Sequence, residues 1–199
     1  MVLKKSALIS VFLLFCLSVS AQIREQKDGQ IVASVGDRLL GCYAFQEQSN
    51  WCWAASLQMI LAYHKIHVSQ KGIVKRVFQN APNRAATSQE MVQAINGYVK
   101  GKRQVICYAD SVINMRNLIG EIEEGNPVVV GMEYQGRQHA MVLTQILFQK
   151  VEGHAGKIIP VQVTVVDPSR MYLKERRFSW EEFYRQLNMV LHVIIADNR

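Results

Sequence analysis

From Trp51 to Tyr63 the chain contains no glycine, proline or charged residue, and apolar side chains fall on every side of a 3.6-residue repeat. The segment is predicted to be a helix buried on all faces, so the rest of the chain must supply a core that surrounds it. Ser49 or Asn50 is expected to cap this helix by accepting a backbone N–H, and either choice places Cys52 in the first turn. The partial positive charge of a helix N-terminus favours thiolate over thiol, and a free cysteine there can titrate well below about 8.5. Taken alone, a cysteine among tryptophans and alanines is an ordinary small core residue. Gln46 adds meaning to the position. It lies six residues upstream in a polar segment, from which its amide N–H can return to the sulfur, where the first-turn N–H groups also point. A developing oxyanion would meet two donors there.

The surroundings follow from periodicity and caps. Ser69 is expected to cap a short helix with Ile73, Val74, Val77 and Phe78 on one face, and residues 81–86, with Pro82, form a loop. Thr87 and Glu90 fit a capping box opening a helix that carries Met91, Val92, Ile95 and Tyr98 and stops near Gly97. Residues 103–108 read as a strand, and a further helix begins at Asp110 or Ser111 and ends at Gly125. From Pro127 the period becomes strand-like: 128–134, a turn at 135–137, 139–144, a polar loop at 148–156, 158–167, a short helix capped by Ser179, and 190–196. Residues 22–40 read as a lead-in strand or arm. Helices first and antiparallel strands second define the α+β class, with a cleft where the halves meet.

Residues 1–21 read as a secretory signal peptide: Lys4 and Lys5, an apolar run from Ala7 to Leu17, then Val19-Ser20-Ala21 as a small-residue cleavage site. The expected mature chain is residues 22–199, one catalytic domain, secreted or periplasmic, with no transmembrane segment. Loss of Lys4 and Lys5 lowers the formal charge from +7 to +5. The basic residues, among them Lys71, Lys75, Arg76, Lys174, Arg176 and Arg177, are scattered without aromatic interleaving, so they are read as solvated faces and nucleic-acid binding is not expected. Cys42, Cys52 and Cys107 remain, an odd number. Cys42 paired with Cys107 would leave Cys52 free, and a buried free Cys107 is equally ordinary. No zinc cluster, phosphate loop or cofactor fingerprint occurs, so no cofactor is expected.

Of the five histidines, His139 stands where the chain enters a strand after a turn, His64 and His67 closely follow the cysteine helix, His154 is in a loop and His192 in a terminal strand, and taken by itself a histidine at a strand edge is structural or merely exposed. Asp167 ends an apolar strand before Pro168. A thiolate needs an imidazole that stabilises it and then protonates a leaving amine, and the imidazole needs a carboxylate that fixes its tautomer. Gln46, then Cys52-Trp53-Ala54-Ala55 at a helix start, then His139 and Asp167-Pro168, resembles the papain-like cysteine peptidases. The similarity is greatest to the bacterial branches that include bacteriocin-leader peptidases and AvrRpt2-type effector proteases. The resemblance implies Cys52 as nucleophile, His139 as acid-base, Asp167 as its orienting group and Gln46 as an oxyanion donor, acting on a peptide or protein substrate. Asp167-Pro168-Ser169 lacks the nearby tryptophan of the plant enzymes, and a leader peptidase is normally fused to a transporter segment that is missing here. The resemblance therefore implies the chemistry and leaves the substrate open. Residues 22–40 are too few for a helical pro-domain, so restraint of activity falls to narrow specificity or a separate protein inhibitor. The same triad would also serve an acyl transferase or transpeptidase, and the scaffold alone a non-catalytic binding module. Loops 81–86 and 148–157 are expected to wall the cleft.

Overall fold

The helix α1 (Cys52–Tyr63) is buried along its length, with Trp53, Leu57, Met59, Ile60 and Leu61 each at 2% exposure or less. Each such side chain contributes roughly 1.5–3 kcal/mol on leaving water, far more than helix propensity could supply. Packing therefore fixes α1. The computed structural model describes residues 22–25, 29–134, 136–151, 153–154 and 157–197. The leader expected at residues 1–21 lies outside them.

Around α1 the chain runs β1 (Gln22–Glu25), β2 (Gln30–Ser34), a 3-10 helix (Asp37–Cys42), then α2 (Gln70–Lys75), α3 (Ser88–Ile95), β3 (Val99–Lys100), β4 (Arg103–Asp110) and α4 (Met115–Glu123). The second half is β5 (Val128–Tyr134), β6 (Arg137–Lys150), β7 (Ile158–Val166), β8 (Glu175–Ser179), α5 (Trp180–Gln186) and β9 (Leu187–Asp197). All nine described strands join one antiparallel sheet in the order β1-β2-β6-β5-β9-β4-β3, with β7 on the other edge of β6 and β8 beyond it. This is the expected α+β mixture, with one difference of order: β1 and β2 precede the helices and add to β6 as a hairpin. Among the described residues no helix is long and apolar enough to cross a membrane.

Most local signals act as expected. Ser69 caps α2, and Thr87 and Ser179 each form a complete capping box. Two expectations are corrected. Asp110 and Ser111 do not start a helix: β4 continues to Asp110 because it pairs with Val190 of β9, and Asn114 caps α4 instead. Residues 148–150 belong to β6, which is held on both edges by β2 and β7. The loop that follows starts more than ten residues along β6 from His139, roughly 30 Å away, and cannot wall a cleft there. Of the two arrangements left open for Cys42 and Cys107, the structure has the unpaired one: Cys42, Cys52 and Cys107 are all free thiols, with Cys107 buried.

Register matters most at one corner. Val142 pairs with Val166 and Val165 pairs with Arg176, so the ladder sets His139, Asp167 and Arg176 on the same face of neighbouring strands or their extensions. Beyond Val142 the β7 edge of β6 is left open, and α1 packs against it. There Ser56, one turn after Cys52 and fully buried, donates to the Ala140 carbonyl at 3.1 Å.

Candidate active site

Cys52 is the first residue of α1. Trp51 is the N-cap, and no side chain accepts from the first-turn N–H groups. Ser49 and Asn50, expected as caps, are engaged elsewhere: Asn83 donates to Ser49 Oγ at 2.9 Å, accepts from the Asn50 N–H at 2.9 Å and from its side-chain amide at 3.1 Å. The Trp51 indole donates to Pro82 O at 2.9 Å and the Trp53 indole to Arg84 O at 3.2 Å. Loop 81–86 thus clamps the start of α1 and leaves its orphan N–H groups open to a ligand, as at anion-binding helix ends.

His139 Nε2 lies 2.7 Å from Asp167 Oδ1. The Cys52 thiol is the ring's other neighbour, and the interaction between them favours the charged imidazolium. The ring is mostly buried, and burial disfavours the imidazolium; the Asp167 hydrogen bond, the Cys52 contact and both negative charges outweigh it and raise the His139 pKa to about 9. Asp167 is fully buried. Burial pushes its carboxyl up, yet it is held below the usual carboxylate range by His139, by the Ser169 N–H at 2.8 Å from Oδ1, and by Arg176 Nη1 at 2.9 Å from Oδ2. The turn expected at Asp-Pro is therefore real and serves the carboxylate as well.

Gln46 sits beside this pair through its backbone. Its N–H donates to Pro168 O at 3.0 Å, and the Tyr43 hydroxyl donates to Asp167 O at 2.9 Å. Its side-chain amide donates to Ser49 O at 2.8 Å and to Gln48 O at 3.1 Å, while Oε1 is buried with no hydrogen-bond partner among the described residues. Buried Gln70 grips both neighbours of Gln46, accepting from Glu47 N–H at 2.8 Å and donating to Phe45 O at 2.7 Å, and also donates to Gln58 of α1 at 3.0 Å.

The sequence reading missed Ser56, Gln70, Asn83 and Arg176. Gln70 and Asn83 carry no motif. Arg176 was grouped with solvated basic residues, whereas its side chain is 13% exposed and paired with Asp167. The alternation of Arg176 with buried Phe178 was the available signal. Of the other histidines, His192 is bonded to Glu121 at 2.6 Å and stacked on Tyr108, between β9, β4 and α4. Among the described residues no three His, Cys, Asp or Glu side chains converge as metal ligands.

A buried helix carrying its thiol at an open N-terminus, packed on an antiparallel sheet that presents the imidazole, defines a papain-like cysteine peptidase. The peptidase domain of Streptococcus ComA, a bifunctional ABC transporter involved in quorum sensing, has the same fold: TM-score 0.50, 12% identity, 78% of this chain and 97% of that one covered. The Peptidase_C39 like family model matches residues 42–188, and the chain belongs to that family. No curated protein matches it at a significant level.

Proposed function

We propose that residues 22–199 form one exported catalytic domain that hydrolyses peptide bonds through a thioester on Cys52. The observation that carries this reading is the 2.7 Å His139–Asp167 bond, with the Cys52 thiol as the ring's other neighbour at a helix start that has no side-chain cap. The Cys52 thiolate attacks the substrate carbonyl carbon, and the carbonyl π pair moves to oxygen. The Cys52 N–H meets that oxyanion, and Gln46 joins it when the oxyanion displaces the longer of its two amide bonds, that to Gln48. Each donor of this kind contributes about 3 kcal/mol in comparable hydrolases. The intermediate collapses, the C–N bond breaks, and the His139 imidazolium gives its proton to the leaving nitrogen. Water then adds to the thioester carbon, giving a proton to the neutral imidazole, and the C–S bond breaks to restore thiolate, imidazolium and a carboxylic acid product.

Export is supported by Lys4, Lys5, the apolar run to Leu17 and Val19-Ser20-Ala21; cell fractionation and N-terminal sequencing test it. Restraint by a separate protein inhibitor belongs to the same reading, and copurification from the native host tests that. For the chemistry, Cys52→Ala, His139→Ala and Asp167→Asn are expected to abolish or strongly reduce cleavage of a peptide library while circular dichroism is unchanged. Undiminished cleavage by Cys52→Ala would refute it.

A further inference from the structure

In the mechanism above, His139 is charged beside the thiolate and neutral once its proton has left with the amine. In that second state it offers no charge to Asp167, and a buried carboxylate without a cation is strongly disfavoured. Arg176 occupies the oxygen that His139 does not use, with Nη1 2.9 Å from Oδ2. Its guanidinium is permanently charged and is held between the rings of Tyr172, 4.4 Å from its centroid, and Phe178, 4.8 Å away.

We propose that Arg176 is a positioning residue for the hydrolysis, keeping Asp167 ionised and fixed while His139 passes between its charged and neutral forms. The inference rests on the roles given above to Cys52, His139 and Asp167. With Arg176 present, the four groups sum to zero charge both before attack (thiolate, imidazolium, carboxylate, guanidinium) and in the thioester (carboxylate and guanidinium alone). Without it both states carry a net negative charge, and the thioester form relieves this by keeping a proton shared between His139 and Asp167. His139 is then no base for water.

The other charged or titratable groups around this pair do not replace Arg176. Cys52 faces His139 from α1, and Tyr43 bonds only the Asp167 carbonyl. Lys174 accepts the Asp167 N–H through its own carbonyl while its ammonium lies over Tyr43, and Arg170 lies over Phe45.

The decisive experiment follows the His139 ring by NMR titration in Cys52→Ala, where no thiolate contributes, with and without Arg176→Gln. It needs no peptide cleavage, so it stands or falls apart from the peptidase reading. Removing the cation strengthens the hold of Asp167 on the imidazolium, so His139 is expected to titrate about one pH unit higher in Arg176→Gln, and near its original value in Arg176→Lys. An unmoved His139 in folded Arg176→Gln overturns the inference. Where Arg176→Gln does not fold, the double variant Asp167→Asn/Arg176→Gln, which carries neither charge, is expected to fold. A double variant that also fails to fold overturns the inference and leaves Arg176 a purely structural residue.

Discussion

Gln70 tests how the oxyanion side of the site is held. It is 1% exposed, lies at the start of α2, and makes three hydrogen bonds of 2.7 to 3.0 Å to Phe45, Glu47 and Gln58, bracketing Gln46. Gln70→Leu keeps the approximate volume and removes all three. At about 1 kcal/mol each, with the Phe45 carbonyl and Glu47 N–H left unpaired and a partial return from apolar burial, the net loss is about 3 kcal/mol. For a domain of this size that lowers Tm by roughly 6–12 °C. The freed segment also lets Gln46 drift, and loss of one oxyanion donor costs on the order of 100-fold in kcat with little change in KM. Urea unfolding and steady-state kinetics on one peptide read both effects. A stable variant would refute the hydrogen-bond reasoning. A destabilised variant with kcat within about twofold of the parent would show that Gln46 is not positioned through Gln70.

Other expectations concern pH, thiols and caps. The folded-state pKa of His139 is about 9, raised from an unfolded value near 6.5, so its contribution is complete below about pH 6.5 and is lost as pH rises through 9. Urea unfolding is expected to show on the order of 3 kcal/mol less stability at pH 9.5 than at pH 6, and a His139→Gln control should lack that loss. Burial pushes the Cys107 thiol up to about 12 and raises that of Cys42, so in native protein iodoacetamide should label partly exposed Cys52 well before Cys107. Equal labelling of both by mass spectrometry would contradict this packing. Ser179→Ala, which opens the capping box of α5, should cost about 1 kcal/mol in urea unfolding and leave kcat within twofold.

The parts of this fold that local chemistry dictates were readable in the sequence. The run without glycine, proline or charge names α1, Thr87 with Glu90 names the start of α3, and the turn between β5 and β6 names the hairpin that carries His139. What depended on pairing between distant strands was hidden. β4 reaches Asp110 only because β9 lies beside it, and polar Gln145 and Gln149 lie in β6 because β2 and β7 pair with them on both edges, as β7 alone does with Lys150. Glu175–Ser179 opens with three charged residues in a row and carries only Phe178 as an apolar one, which disguised β8 as a solvated segment and Arg176 with it. Cys52, His139 and Asp167 were each legible as candidates, but their approach follows from the Val142–Val166 register, which no local pattern encodes. The donors around Gln46 depend on Gln70 and Asn83, residues distant in sequence from the loop they brace.

The most direct test of Cys52 as nucleophile is the intact mass of the protein quenched in acid within milliseconds of mixing with a peptidyl p-nitrophenyl ester, followed by fragmentation to place any adduct. A mass increase equal to the acyl group, located on Cys52, forming before steady state and absent from Cys52→Ala, is the expected result. Steady hydrolysis with no adduct on Cys52, or an equal rate from Cys52→Ala, would contradict it.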